Sequence, residues 1–298
     1  LAHWIGRNWA RLSYAVRVEP TWLEVNRHTI PVAGLSPTFA GFRIVQLSDL
    51  HCGRHLPGHY LDEAMALAQA QHPDLVVVTG DFIHKGYRGV ETAAAAIATL
   101  RAPLGVFAVL GNHDFSVRNA LGIRRHRGLH QAVADALTAR GVRVLRNQCV
   151  QLERDGQRLA LGGVDDLWSR ECDLGRTLDG VSADEPVVLL AHNPQTVGRL
   201  EGRRCDLMLS GHTHGGQIDW PGLGRVTLGR KARRYAAGMY RENGTWLYVN
   251  KGVGYGWRIR FNVRPEVAVL TLQPQAPGAS DERGRGTGDG GQRNGTEG

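Results

Sequence analysis

Five short apolar runs in this chain each stop at side chains able to hold a cation, and that repetition restricts the fold more than any other feature. Residues 42–47 run into Asp49 and His51, residues 75–78 into Asp81, and residues 106–110 into Gly111-Asn112-His113-Asp114. Further along, residues 187–190 lead to His192, and residues 207–209 lead to His212 and His214. Runs this short, rich in β-branched residues and broken by glycine or polar groups, read as buried strands. Open α/β sheets bind ligands at the carboxyl ends of their strands. Seven oxygen or imidazole donors are therefore expected along one sheet edge.

The intervening segments carry helical signals. Leu61, Met65 and Ala68 mark one helix face before Pro73, and the alanine-rich residues 90–100 favour a helix by propensity. Strand, helix, strand, helix, strand predicts a parallel sheet with right-handed crossovers. After a helix over 129–140, the short segments 142–145, 149–152 and 158–161 read as antiparallel strands of a second sheet packed on the first. Asn193-Pro194 opens a helix to about Leu200, and residues 246–249 and 267–272 read as closing strands. With 298 residues and 42% hydrophobic composition, one α/β domain is expected rather than two. It spans 40–273. An extension over 1–39 carries an amphipathic helix from Trp4 to Arg17 (Ile5, Trp9, Leu12 and Val16 at helical spacing) and an edge strand over 22–30. A Gly- and Arg-rich tail over 274–298 is expected to be disordered.

The formal charge of +8 favours anionic partners. Residues 225–264 concentrate it, with ten Lys or Arg against Glu242 alone. Together with the Trp-bearing helix, this predicts peripheral contact with an anionic membrane, the alternative being that the helix packs on its own domain. A second basic stretch, 116–130, holds Arg118, Arg124, Arg125, His126 and Arg127. No apolar run is long enough to cross a bilayer and no signal peptide is visible. The chain begins at Leu1 rather than Met, which leaves room for an upstream anchor or export signal. Cys52, Cys149, Cys172 and Cys205 lack paired spacing and read as free thiols; Cys52 is set aside as a ligand because the oxygen and nitrogen donors suffice.

The Asp81 carboxylate has two oxygens and can bridge two cations, whereas each imidazole serves one. One ion then takes Asp49, His51, Asp81 and His214, and the other takes Asp81, Asn112, His192 and His212. Two cations about 3.5–4 Å apart can share a hydroxide and clamp a phosphate during in-line displacement. His113 is left over as a proton donor to the departing oxygen, and Asp114 orients that imidazole or a neighbouring loop. The mixed donors admit Mn²⁺, Zn²⁺ or Fe. Asp165 and Asp166 point to opposite sides of an extended chain and read as structural or as supports of the donors, the alternative being contact with substrate. His3, His28, His55, His59, His72, His84, His126 and His130 read as surface or structural residues.

Asp49-Leu50-His51, Gly80-Asp81, Gly111-Asn112-His113-Asp114, Ala191-His192 and Gly211-His212-Thr213-His214, in this order, resemble the signature blocks of the calcineurin-like metallophosphoesterases. The resemblance covers residues 41–272. It implies an α/β fold of four layers, α/β/β/α, with two mixed sheets flanked by helices and two divalent metals at the strand ends. Gly215-Gly216-Gln217-Ile218, Tyr248-Val249-Asn250-Lys251-Gly252 and Arg260-Phe261-Asn262 resemble a bacterial branch described as membrane- or wall-associated phosphodiesterases, similar to UDP-2,3-diacylglucosamine pyrophosphatases. The expected activity is hydrolysis of a phosphodiester or pyrophosphate in a small-molecule or lipid-linked substrate, by a cytoplasmic or peripherally membrane-associated enzyme. A nuclease of the same metal class and a non-catalytic partner-binding scaffold are the alternatives; against the nuclease, no nucleic-acid module is recognised.

Overall fold

Side chains alternate along each central strand between two different cores, and this alternation builds the layers. The computed structural model describes residues 2–53, 56, 58–225 and 227–275, without the side chains of 2–8, 230 and 231. In chain order, helix α1 (Ala2–Arg17) precedes β1 (Glu24–Val32) and β2 (Phe42–Leu47). Then come α2 (Gly58–Gln69), β3 (Leu75–Thr79), α3 (Val90–Ile97), β4 (Val106–Val109), α4 (Leu129–Thr138) and β5 (Arg143–Val144). The second half supplies β6 (Gln148–Arg154), β7 (Gln157–Gly163), α5 (Leu174–Leu178), β8 (Val187–Leu190) and β9 (Leu207–Ser210). It closes with α6 (Arg230–Arg233), β10 (Gly238–Glu242), β11 (Thr245–Val249) and β12 (Glu266–Pro274).

These strands form two sheets of six, ordered β1-β12-β2-β3-β4-β5 and β10-β11-β9-β8-β7-β6. Both are mixed. β2 to β5 run parallel and β12 is antiparallel to β2, while β7, β8, β9 and β11 run parallel between antiparallel edges β6 and β10. Ile44, Val77 and Phe107 of the first sheet meet Leu161, Leu190 and Leu209 of the second in a buried core. Their neighbours Val45, Val76 and Val78 point the other way, beneath Leu61 and Met65 of α2, Ile97 of α3 and Val133 of α4. On the far side, Leu189, Met208 and Leu247 pack under Leu174, Leu178, Val197 and Tyr235. A period of two over strands buried on both faces produces four layers.

Three expectations are corrected. The segment over 142–145 does not join the second sheet, because β5 pairs in parallel with β4 at the edge of the first. The helix expected after Asn193 is a 3-10 turn, Pro194–Arg199, capped by the Asn193 side chain, which accepts from Gln195 N at 3.0 Å. The basic stretch 225–264 is not one cationic face. Arg260 is fully buried, Lys251 pairs with Glu24 and Glu266, Arg264 lies 3.6 Å from Glu24, and Arg234 meets Glu242 at 2.9 Å.

Helix α1 is moored by its last turns, through Tyr14 and Ala15, with Val16 half-buried beside them. Ala15 is buried and its carbonyl accepts from Arg260 N at 2.9 Å, while Tyr14 meets Phe261 and Trp22 edge-on. Trp9 and Leu12 remain exposed, and the side chains of Trp4 and Ile5 are outside the described residues. β1 is the edge strand anticipated, and its Pro31 has no amide proton to offer, which an edge tolerates. β12 extends to Pro274, one residue into the tail expected over 274–298, and from 276 on that tail lies outside the described residues.

Candidate metal centre

The candidate donors sit on loops that leave the strands and turn sharply. Asp49 and His51 follow β2, Asp81 follows β3, Asn112 follows β4, His192 follows β8, and His212 and His214 follow β9. Asp49, His51, Asp81, His212 and His214 all have positive φ, between 48° and 74°. Non-glycine residues disfavour this region by roughly 1–2 kcal/mol each. Strain repeated at five donors is held in place by the surrounding packing, and such strain gathers where geometry serves a ligand.

Two glycines permit the close packing of these loops. A side chain at Gly111 would collide with the Asp81 carboxylate, and one at Gly211 would collide with Ser48 and the Asp49 carboxylate. Below them Gln46 ties the sheets together, donating at 2.9 Å both to Thr79 Oγ1 in β3 and to the carbonyl of Ser210 in β9.

The donor atoms form two adjoining nests. In one, His51 Nε2 lies 2.8 Å from His214 Nε2, and His214 Nε2 lies 3.3 Å from Asp49 Oδ1. In the other, His192 Nε2 lies 3.2 Å from both Asn112 Oδ1 and His212 Nδ1, and His212 Nδ1 lies 2.9 Å from Asn112 Oδ1. One atom belongs to both: Asp81 Oδ2 is 3.6 Å from His51 Nε2 and 3.3 Å from His192 Nε2. All seven candidate donors are brought together, and all but His212 and His214 are buried.

Protonation states suit a cation. Burial pushes the imidazoles of His51 and His214 well below the usual value, aided by His113 for the former and Arg260 for the latter, and holds His212 down at about 3. Neutral rings bring lone pairs rather than charges, and two Nε2 atoms 2.8 Å apart need a shared proton or cation between them. His192 behaves differently: burial opposes its charge, but the Asp81 carboxylate outweighs that and holds it well above the usual imidazole range. Its Nδ1 lies 2.6 Å from the Thr79 carbonyl, which fixes the proton there and turns Nε2 toward the nest. Metal uptake by such a site displaces the Nε2 proton, so binding weakens as the solution is acidified. Burial raises Asp49 to about 6, with His192 opposing. Carboxylate, amide and imidazole donors without a thiolate fit a divalent ion such as Mn²⁺, Zn²⁺ or Fe. Cys52 is absent from these groups, and burial raises its thiol to about 12.

His113 stands beside the first nest, its ring 4.7 Å from that of His51. Its Nδ1 lies 2.8 Å from the carbonyl of His84, which fixes the orientation of the ring. Asp114, grouped with His113 in the sequence reading, does not touch the imidazole. Its carboxylate accepts from the amides of Asp81 (2.9 Å), Gly111 (2.8 Å), Phe82 (3.0 Å) and Ile83 (3.4 Å), so it positions the loop that carries Asp81. Burial and repulsion from Asp81 push Asp114 up to about 8, against the pull of those amides.

Asp165 and Asp166 are both held by neighbours, although Asp166 Oδ2 is buried without a hydrogen-bond partner. Asp165 takes a two-point contact from Arg146 at 2.9 and 3.0 Å, and Asp166 caps the turn at Leu167–Ser169. Sequence reasoning set aside His84, yet its ring lies 5.7 Å from those of both His51 and His113. Periodicity gave no signal for it: His84 follows an isolated bridge between Cys52 and Ile83 in an irregular loop.

A family model described as calcineurin-like phosphoesterase matches residues 42–216. The uncharacterized metallophosphoesterase YkuE of Bacillus subtilis is 34% identical over 265 residues, covering 87% of this chain and 89% of that one. Phosphodiesterase YaeI of Escherichia coli is 33% identical over 258 residues, covering 85% and 90%. UDP-2,3-diacylglucosamine pyrophosphatase LpxG of Chlamydia trachomatis is 30% identical over 303 residues, covering 86% and 91%.

Proposed function

Because the chain belongs to the calcineurin-like phosphoesterase family, and is therefore a hydrolase, we propose that it cleaves a phosphodiester or pyrophosphate bond using two divalent cations. The observation that carries this reading is the position of Asp81 Oδ2 between His51 and His192. Asp49, His51, Asp81 and His214 would hold one cation, and Asp81, Asn112, His192 and His212 the other. Divalent cations there supply Lewis acidity, neutralising phosphate charge and lowering the pKa of water. The names of YaeI and LpxG support a diester or pyrophosphate over a monoester.

The protein's own groups do the rest. His113, steadied at Nδ1 by the His84 carbonyl, gives the Nε2 proton to the departing oxygen. Asp114 keeps Asp81 in register with Gly111. His113→Ala is expected to slow hydrolysis of alkyl diesters by about 10²- to 10⁴-fold, and of nitrophenyl diesters far less, since an activated leaving group needs no proton. Equal losses on both would remove the proton-donor role. The broader test is a substrate panel with added Mn²⁺, spanning nucleotide sugars, lipid-linked diphosphates, cyclic nucleotides, oligonucleotides and aryl diesters, alongside metal analysis of the same sample. Hydrolysis of none of them, whichever metal is supplied, would favour the scaffold reading.

We also propose contact with an anionic lipid surface. No described helix is long and apolar enough to cross a membrane. Leu12, Ala15, Ile218, Trp220, Leu223 and Phe261 line an apolar groove of about 290 Å³ beside α1, with Arg11 at its rim. Trp9, Leu223 and Trp257 are each at least 70% exposed, and Arg258 follows Trp257 on the surface. Exposed amphipathic tryptophan and arginine suit a headgroup layer. The full chain should co-sediment with vesicles containing phosphatidylglycerol at low salt, and Trp257→Ala with Leu223→Ala should release it; recovery of the unaltered protein in the supernatant would reject the contact.

A further inference from the structure

Beside the donor nests a narrow cleft is lined by His84, Lys85, His113, Arg118, Arg125 and His126, and no carboxylate lines it. Its enclosed space is about that of one water, and its mouth is formed by the exposed side chains of Lys85, Arg118 and Arg125, which can part at little cost. Among the described residues, no acid comes within 4 Å of the charged ends of these three. Other arginines of the neighbourhood are committed elsewhere. Arg124 pairs with Glu171 at 2.6 Å, and Arg146 with Asp165 and Glu171. Like charges gathered without a counter-ion repel one another, and a bound anion relieves that repulsion.

The cleft is fastened to the candidate centre. Asn112 Nδ2 donates to the carbonyl of Val117 at 2.7 Å, and Val117 N donates back to Asn112 O at 2.7 Å, so the residue preceding Arg118 is tied to a candidate donor. Arg118 Nη2 donates at 3.4 Å to the His84 carbonyl, the same oxygen that steadies His113. His113 thus forms the shared wall between nests and cleft.

We propose that this cleft holds a second phosphoryl group of the substrate, the leaving half of a pyrophosphate-linked molecule such as a nucleoside diphosphate conjugate. This rests on the phosphoesterase reading above, because His113 marks the side on which the departing oxygen lies. Water adds across the P–O–P linkage. Its hydroxyl ends on the phosphorus held at the donor nests, and the bridging oxygen leaves with the bonding pair on the second phosphate and takes the proton from His113 Nε2, which the water's proton then replaces. Lys85, Arg118 and Arg125 neutralise the charge that arrives there.

The test combines Arg118→Gln with Arg125→Gln, both exposed and so tolerated by the fold, and uses Arg127→Gln on the same loop as a charge control. The double variant should lower the ratio of kcat/KM for a nucleotide sugar to that for bis(p-nitrophenyl) phosphate by about tenfold or more, mainly through KM, as expected for lost charge-assisted hydrogen bonds. Arg127→Gln should leave that ratio within about twofold. By calorimetry on the Mn²⁺-supplemented protein, methylenediphosphonate should bind the double variant about tenfold more weakly, with a smaller change for methylphosphonate. Equal losses on both substrates, an equal effect of Arg127→Gln, or equal weakening of the two phosphonates would overturn the proposal, the first two pointing to a diffuse field and the last to a site for free phosphate. If the unaltered protein hydrolyses no ester, the phosphoesterase reading fails, and the phosphonate comparison still decides whether the cleft distinguishes one phosphoryl group from two.

Discussion

Asp81→Asn is expected to lower turnover about a thousandfold or more and to deplete bound divalent metal, the loss of several kcal/mol of charge stabilisation at about 1.36 kcal/mol per factor of ten. The asparagine keeps the oxygen that accepts from His113 N at 2.8 Å in the native chain, so the loop should fold as before. Its NH₂ replaces Oδ2, the atom lying between the His51 and His192 nitrogens, and presents a donor where both nests need an acceptor. Turnover at saturating Mn²⁺, metal content and circular dichroism on one preparation measure the three parts. Native-like dichroism with turnover within tenfold of the unaltered enzyme would mean that Asp81 does not join two sites.

Arg260→Met is expected to destabilise the chain by roughly 3–5 kcal/mol, the range for removing one partner from a buried charged network. The guanidinium is fully buried and donates to the carbonyls of Lys251 (2.9 Å), Gly252 (3.0 Å), Gly254 (2.6 Å) and Val263 (3.2 Å). Methionine fills most of the space but leaves the carbonyls of Lys251, Gly254 and Val263 without that donor, at about 1–3 kcal/mol for each that water cannot reach, while the Gly252 carbonyl still accepts from Glu266 N at 3.2 Å. The damage should reach the centre. Val253 N donates to Ser48 O at 2.9 Å and Gly254 N to Asp49 O at 2.8 Å, so the segment that Arg260 gathers is also the one that braces Asp49. Urea unfolding in the presence of a chelator isolates the chain's own stability from that added by bound metal. A loss below about 1 kcal/mol would show that water or a shifted side chain satisfies those carbonyls.

The sequence made the strand ends legible because β3, β4, β8 and β9 are buried throughout and read as apolar runs, and β2 departs from this only at the exposed Arg43 and the buried Gln46. The donors following them could be listed for the same reason. β10 was not legible: every residue from Gly238 to Glu242 is only half-buried, and its order of Gly, Met, Tyr, Arg and Glu carries no alternation. β5 was assigned to the wrong sheet because two residues of edge strand fix no partner by pattern. The cationic stretch 225–264 looked uniform because its counter-charges, Glu24 and Glu266 among them, are supplied by β1 and β12, outside or at the end of that window. His84 was missed because its place beside His113 depends on how two irregular loops cross, which local periodicity does not encode.

The strand order β1-β12-β2 carries a consequence for biosynthesis. β1 is made before every other strand described and β12 after them, yet β1 has no other neighbour in its sheet. While the ribosome is still translating, β1 waits with its ladder unpaired, and β2, which bears Asp49 at its end, has one flank open. Closure must then wait until β12 has been made, and its long-range pairing makes it slow. A nascent chain of this topology offers chaperones an exposed strand edge until β12 emerges, and the flank of β2, the strand that leads to Asp49, is closed only when β12 slots in.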